Sequence, residues 1–327
     1  MDCHIERLEA KLVYLDRLDG PRTDLCYQNI ATVKGEIDDA MGLRRNLERL
    51  RQMGLTRYST SQRFTEVNGY IIRYLDYGPP DSNKIVILLH GLGASAERWS
   101  HIIPTLSRYY RVIVPDIIGF GYSDKPRDVD YTMDFFINDF LRPFLDNLGV
   151  IKASIIGSSF GGHVATEFAI RFNRMVEKLV LVSPAGMMKK STQTLDSYFT
   201  AALYPWYELV YKAFTEMAYK SATVSEETVL DFMNRMRLTN AKYSFYSTLI
   251  GMGRAPELRG RLSNITAPTL LLWGQNDSMI PLRYARYYNE IPNMARVVIN
   301  KCGHTPQVEN PVVCNKNILK CLKVSKR

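Results

Sequence analysis

The chain has 327 residues, of which 46% are hydrophobic and 23% are charged, and its formal net charge is +9. This composition excludes a disordered chain, and the length fits one large hydrophobic core with an additional segment. No apolar run approaches the roughly 18 residues of a membrane-spanning helix, and the acidic N-terminus lacks the apolar region of a secretory signal. We therefore expect a cytoplasmic protein without a membrane span.

The positive charge is concentrated at the C-terminus. Residues 312–327 hold five basic residues and no acidic residue. A nucleic-acid-binding protein would spread lysine and arginine over one face together with aromatic side chains. The sequence has no such stripe, so we expect no nucleic-acid partner.

Residues 1–60 are predicted to form a separate helical extension. Apolar residues recur at helical spacing from Ile5 to Leu18, a glycine–proline pair interrupts the pattern, and a second run extends from Ile30 to Leu50. Two interpretations remain open. The helices pack on their own domain, or they form a homodimer or docking element.

A β-hairpin is predicted to follow the extension. Residues 64–67 and 70–75 favour strands, and Asn68 and Gly69 between them are typical of a type I′ turn. Further apolar strand candidates alternate with helical patterns at residues 84–89, 111–115, 153–156, 178–182, 269–273 and 295–299. This alternation predicts an α/β fold with a mostly parallel sheet covered by helices on both faces. We expect residues 61–185 and 263–327 to form this core.

Residues 186–262 interrupt the strand pattern. They contain 12 of the aromatic residues and six of the 13 methionines, and no convincing strand. A segment of this length is too long for a loop, so we predict a helical lid domain.

Residues 157–161 read Gly-Ser-Ser-Phe-Gly and lie between a predicted strand and a predicted helix. Glycines around Ser159 permit a tight turn that lifts its hydroxyl clear of the sheet, and a helix N-terminus favours developing negative charge. Ser159 is thus a candidate nucleophile. The alternative is a glycine-rich connection that carries a serine without a function.

With these motifs the chain resembles the α/β-hydrolase superfamily over residues 63–321, specifically its serine carboxylesterases and lipase-like members with a helical lid. The family order of nucleophile, acid and histidine is matched by Ser159, Asp277 and His304. The alternative position for the acid, after strand 178–182, has no carboxylate. The resemblance implies that these three residues form a Ser-His-Asp triad.

The resemblance also implies an oxyanion hole formed by the backbone N–H groups of Leu92 and Phe160. It further implies that Asp116 braces a loop rather than acting as the catalytic acid. His90 is a candidate for a second catalytic histidine, but we expect it to bond loop backbone beneath the site.

Three other residues near these motifs need an interpretation. Packing or surface exposure is the expectation for His163, four residues after the nucleophile. Trp99 and His101 follow the oxyanion loop and are candidates for lining the acyl pocket.

The reaction predicted from these residues is hydrolysis of a small-molecule carboxylic ester through an acyl-enzyme, with a short or medium acyl chain or an aryl ester as substrate. The alternatives are a carbon–carbon bond hydrolase, a lactonase or thioesterase, and a ligand receptor without turnover. A carbon–carbon hydrolase of dienoic diketo acids should have arginines inside the pocket, and Arg254 is the candidate. No metal cluster or phosphate loop is visible, so we expect neither a metal nor a cofactor. The five cysteines lack a CxxC pair and are expected to be free thiols.

Overall fold

The computed structural model describes residues 61–323, so the predicted N-terminal helices and any dimer formed through them lie outside the described residues. Eight strands form one sheet. They are β1 (Gln62–Val67), β2 (Tyr70–Tyr77), β3 (Ile85–Leu89), β4 (Arg111–Pro115), β5 (Ala153–Ser158), β6 (Val176–Val182), β7 (Thr269–Gly274) and β8 (Met294–Ile299).

The predicted hairpin is confirmed. Strands β1 and β2 pair in antiparallel register from Gln62 opposite Leu75 to Val67 opposite Tyr70. Asn68 and Gly69 have φ values of 51° and 86°, and a type I′ turn needs positive φ at both positions. The local sequence therefore fixes this end of the sheet.

The mostly parallel sheet is also confirmed. Its strand order is β1-β2-β4-β3-β5-β6-β7-β8, in which β2 pairs antiparallel with β4 and all strands from β4 to β8 pair in parallel. In a parallel sheet the carboxyl ends of the strands meet at one edge, where the loops after β3, β5, β6, β7 and β8 come together. Each of the five candidate site residues, Leu92, Ser159, Phe160, Asp277 and His304, follows one of the parallel strands.

Helices cover the sheet on both faces, as predicted. They are α1 (Ile103–Leu106), α2 (Arg142–Asn147), α3 (Phe160–Arg171), α4 (Gln193–Leu203), α5 (Tyr207–Met217), α6 (Glu226–Met236), α7 (Ala241–Arg254), α8 (Pro306–Glu309) and α9 (Pro311–Leu322). Successive side chains of a strand point to opposite faces. In β3, Ile87 and Leu89 therefore pack with α2 and α3, whereas Val86 and Leu88 pack with α1 and α9. None of these helices is long and apolar enough to cross a membrane.

Between β6 and β7 lie the four helices α4 to α7, and the described part of residues 186–262 contains no strand. Aromatic side chains join them, because Tyr198 of α4 contacts Phe214, Phe232 and Phe245 of the other three helices at ring-centroid distances of 5.5–6.1 Å. Burial of such large apolar rings is the main stabilising term for this insertion. Its function as a lid stays a prediction, as does the division into separate domains.

Candidate active site

Ser159 lies at the turn between β5 and α3 in a strained backbone conformation. Its φ of 53° and ψ of −117° are unfavourable for a residue with a side chain and cost roughly 1–3 kcal/mol. Three backbone hydrogen bonds maintain the turn. Ser159 donates its N–H to the carbonyl of Val182 at 3.0 Å, and its carbonyl accepts from His163 at 3.1 Å and from Ala185 at 2.9 Å.

The glycines of the motif are needed because backbone segments approach closely here. A Cβ atom added to Gly157 would lie 2.2 Å from the carbonyl oxygen of Gly161. One added to Gly161 would lie 2.3 Å from the carbonyl oxygen of Leu89. Any larger residue would push α3 away from the sheet and displace the serine turn.

Asp277 and His304 come from the loops after β7 and β8 and form a hydrogen bond. His304 Nδ1 and Asp277 Oδ2 are 2.9 Å apart, and the two side chains are buried. The other carboxylate oxygen accepts the backbone N–H groups of Met279 at 3.0 Å and Ile280 at 2.8 Å. The carboxylate is therefore held in place, and it orients the imidazole.

A second carboxylate maintains the loop that carries His304. Glu309 accepts the backbone N–H of Gly303 at 3.0 Å and that of Thr305 at 3.1 Å. His304 itself donates its backbone N–H to the carbonyl of Met217, at the end of α5, at 2.9 Å. The helical insertion thus contributes directly to the position of this histidine.

A cavity of about 220 Å³ joins the predicted site residues. Ser159, His304, Leu92 and Phe160 all line it, and Asp277 lies behind His304. The loop after β3 passes close to the serine, since a Cβ added to Gly91 would lie 3.9 Å from Ser159 Oγ. The structure therefore brings all five predicted site residues together at the carboxyl edge of the sheet.

The loop that carries Leu92 is held from two sides. His90 bonds the carbonyl of Gly91 through Nδ1 at 2.8 Å and accepts the N–H of Ile117 at Nε2 at 2.9 Å. Burial lowers the pKa of His90, so the imidazole is neutral with a fixed tautomer. Tyr198 of the insertion donates its hydroxyl to the carbonyl of Leu92 at 2.6 Å. His90 braces the loop, as expected.

Asp116 is fully buried and also braces loops. It accepts the backbone N–H groups of Ala96 at 2.7 Å and Tyr122 at 2.8 Å, and it pairs with Arg73 at 3.0 Å. These partners use both carboxylate oxygens. Asp116 therefore connects the segments after β3 and β4, as the resemblance implied.

Two arginines line the cavity, and neither is the one that the sequence analysis named. Arg98 has no hydrogen bond or ion pair to another side chain within residues 61–323, and burial lowers its pKa. Arg235 is 4% exposed and pairs with Asp231 in the preceding turn of α6. Its Nε has no hydrogen-bond partner within the described residues 61–323. Arg254 is exposed and lies outside the cavity lining, so the prediction that it is the arginine inside the pocket was wrong. Its position near the end of α7 turns the side chain to solvent.

The other pocket candidates are corrected as well. Trp99 is fully buried against the face of the sheet that α1 and α9 cover, and His101 is exposed, so neither side chain lines the cavity. His163 does line it. Arg98 and Trp99 are neighbours in the 3₁₀ turn Ala96–Trp99, and one residue along a 3₁₀ helix changes the direction of a side chain by about 120°. The sequence thus indicated the correct segment but the wrong side chain.

The described residues offer no metal site, because residues 61–323 contain no group of three or more His, Cys, Asp or Glu side chains placed to hold an ion. Three cysteines fall in this range and all are free thiols. Cys302 and Cys314 are buried, and burial raises the pKa of the Cys314 thiol to about 12. Both behave as small apolar side chains.

The chain is similar to known hydrolases over most of its length. A family model described as alpha/beta hydrolase fold matches residues 84–311. A 2-hydroxy-6-oxo-2,4-heptadienoate hydrolase from Pseudomonas putida is 29% identical in an alignment of 266 residues that covers 75% of this chain and 94% of the relative. A 2-hydroxy-6-oxo-6-(2'-aminophenyl)hexa-2,4-dienoic acid hydrolase from Metapseudomonas resinovorans is also 29% identical, over 76% of this chain and 87% of the relative.

A solved structure shows the same similarity. The meta-cleavage product hydrolase from Pseudomonas fluorescens is 28% identical and superimposes with a TM-score of 0.72, covering 79% of this chain and 96% of the other. The matched family segment contains Ser159, Asp277 and His304. The chain belongs to the alpha/beta hydrolase fold family.

Proposed function

We propose that this chain is a serine hydrolase in which Ser159 is the nucleophile, His304 the general base and Asp277 the residue that orients His304. The observation that carries the proposal is the 2.9 Å contact between Asp277 Oδ2 and His304 Nδ1 beside a cavity that Ser159 also lines. A carboxylate at Nδ1 selects the tautomer whose Nε2 accepts a proton from the serine hydroxyl. The backbone N–H groups of Leu92 and Phe160 stabilise the oxyanion.

The substrate in this proposal is a 2-hydroxy-6-oxo-dienoate, which is cleaved at a carbon–carbon bond, rather than the ester of the main sequence prediction. The relatives described above act on this class of compound according to their names. The arginines Arg98 and Arg235 in the cavity supply the feature that distinguishes a carbon–carbon hydrolase from an esterase. Arginine pairs well with the carboxylate that every such substrate carries.

The chemistry balances with one water molecule. A proton moves from the 2-hydroxyl group to C5, and Ser159 Oγ attacks the carbonyl carbon C6 while His304 takes the serine proton. The C5–C6 bond breaks, and its electron pair delocalises onto the 2-oxo group, which takes up a proton. Water then hydrolyses the acyl group from Ser159. The products are a carboxylic acid and a 2-hydroxydienoate.

Ester hydrolysis is the second candidate, because most of the cavity lining is apolar. The apolar side chains in the lining include Leu195, Phe199, Phe214, Leu249 and Met252. An uncharged acyl chain fits such a surface, and the same nucleophile, base and oxyanion donors would act on the ester. The two candidates therefore differ in the substrate and not in the catalytic residues.

A substrate comparison separates these candidates. The hydrolysis of 2-hydroxy-6-oxo-6-phenylhexa-2,4-dienoate is monitored through the decrease in its absorbance. Its rate is compared with the rates for three esters, p-nitrophenyl acetate, butyrate and octanoate. We expect kcat/KM for the dienoate to exceed that for every ester by at least about a hundredfold, and Ser159→Ala to lower both activities by three orders of magnitude or more. Faster ester hydrolysis would make esters the substrate. Full activity of Ser159→Ala would refute the serine mechanism.

The arginines provide an internal control. Arg98→Met and Arg235→Met should each raise KM for the dienoate roughly tenfold to a hundredfold, because each removes a charge-assisted hydrogen bond. Neither should change KM for the neutral p-nitrophenyl butyrate by a comparable factor. Arg254→Met removes an arginine outside the cavity lining and is the matched control, with no change expected for either substrate.

A further inference from the structure

Two buried histidines near the cavity differ in their hydrogen bonding. Both nitrogens of His90 are bonded to backbone groups. His163 is 2% exposed and forms part of the cavity wall, but neither of its nitrogens has a partner within residues 61–323. Buried polar groups without a partner are rare because they destabilise a fold. The described chain therefore satisfies both nitrogens of His90, whereas it offers the nitrogens of His163 no hydrogen-bond partner.

The imidazole of His163 is held at the wall by close packing. It lies one turn after Ser159 on α3, and the main chain of Gly186 passes against the ring. A Cβ atom added to Gly186 would lie 2.9 Å from Cδ2 of His163, and the φ of 103° at Gly186 is accessible to glycine and strained for other residues. The ring position is therefore set before a substrate binds.

His163 is uncharged at neutral pH. Burial lowers its pKa to about 4, and the charges of Glu167 and Arg261 act on it in opposite directions. Those two groups pair with each other at 2.7 and 2.8 Å, and Arg171 also contacts Glu167. A neutral imidazole has one hydrogen-bond donor and one acceptor.

We infer that His163 recognises a neutral hydrogen-bonding group, such as an aromatic amine or a hydroxyl, on the substituent attached to the carbonyl that Ser159 attacks. This inference rests on the proposed function. In that function Arg98 and Arg235 take the substrate carboxylate, so the substituent on the other side of the carbonyl meets the remaining wall. His163 belongs to that wall, and the charges that act on it are those of Glu167 and Arg261 rather than the cavity arginines.

A second carboxylate on the substituent is disfavoured at this position. A neutral imidazole offers no positive charge to a carboxylate, and the nearby charges of Glu167, Arg261 and Arg171 are already paired with one another. His163 is thus a specificity-determining residue that selects between neutral substituents. It plays no part in bond cleavage.

The test compares two dienoate substrates that differ by one amine, the 6-phenyl and the 6-(2'-aminophenyl) compound. Wild type should prefer the aminophenyl compound in kcat/KM by about five- to tenfold, which is the effect of one neutral hydrogen bond. His163→Leu should lose this preference, and His163→Gln should retain part of it. The ratio is measured on one preparation of each variant, so partial unfolding cancels. An unchanged ratio in His163→Leu would overturn the inference.

A binding measurement separates this inference from the proposed function. Benzoate and 2-aminobenzoate, the acids released from the two substrates, are titrated calorimetrically into wild type and His163→Leu without turnover. We expect 2-aminobenzoate to bind about five- to tenfold more tightly to wild type and equally with benzoate to the variant. If the dienoates are not hydrolysed but this difference appears, the carbon–carbon assignment fails and the role of His163 stands. Equal affinities in wild type would refute that role.

Discussion

The site combines two regions that are built differently. The first consists of the strand ends, where Ser159, Asp277 and His304 are fixed by backbone hydrogen bonds in the loops after β5, β7 and β8. The second is the helical insertion, which contributes cavity walls through side chains such as Tyr198 and Arg235. The three candidate triad residues are thus positioned mainly by hydrogen bonds within short loops, with one bond from His304 to Met217 of the insertion. The shape and charge of the cavity depend on packing between segments that are distant in sequence.

The largest effect is expected at the strand ends. In the proposed mechanism, Asp277→Asn replaces the carboxylate that stabilises the imidazolium, and an amide can donate to Nδ1 and select the wrong tautomer of His304. We expect kcat to fall by roughly three to four orders of magnitude with KM nearly constant. The amide oxygen can still accept the two backbone N–H groups, so thermal unfolding should change little. A decrease in kcat of less than tenfold would remove Asp277 from the triad.

The connection between the two regions is tested by Glu167→Gln. Glu167 is fully buried on α3 and pairs with Arg261, just after the insertion helices, and with Arg171. Loss of its charge leaves Arg171 with Asp134 alone and Arg261 without an ion-pair partner within residues 61–323, so the free energy of unfolding should fall by roughly 2–3 kcal/mol in urea titrations. Asp146→Asn in the exposed pair with Arg142 is the control, with less than about 0.5 kcal/mol expected. If the two variants lose the same free energy of unfolding, the ion pairs of Glu167 do not stabilise the contact between α3 and the segment after the insertion.

A smaller effect is expected within the insertion. Tyr198→Phe removes the hydroxyl that donates to the carbonyl of Leu92, so the proposed oxyanion loop loses one restraint. We expect kcat for p-nitrophenyl butyrate to fall about tenfold and stability to fall by about 1 kcal/mol. Tyr204→Phe, at an exposed tyrosine just after α4, should leave both values unchanged. If the two variants behave alike, the insertion does not position the oxyanion loop.

The smallest effect concerns acid stability. The pKa of His163 is about 4 in the folded protein, where burial disfavours its charged form, and about 6.5 in an unfolded chain. The unfolded state therefore binds more protons between these values, and stability falls as the pH drops through this window. Between pH 7 and pH 6 the loss is below about 1 kcal/mol for His163. His90 titrates in the same direction in both proteins, so the urea midpoint of wild type should fall relative to that of His163→Leu as the pH is lowered.

Much of the sheet could be predicted from apolar runs. Strand β4 was predicted with the same bounds, and β3 starts one residue later than expected. Strand β6 starts at Val176, two residues before the predicted segment, because the partly buried Glu177 separates Val176 from the apolar run. Burial decides which strand residues are apolar, so a strand extends beyond its apolar run wherever its end approaches the surface.

The sequence by itself determined the serine turn, the hairpin and the order of the candidate triad, because each depends on residues that are close along the chain or directly follow a strand. It also indicated that the chain is a hydrolase. Only the tertiary structure decided which arginines enter the cavity and that His163 lacks a partner. Those features depend on where α6 and the segment around Gly186 pack against the strand ends, and such contacts join residues far apart in sequence. No local pattern encodes them.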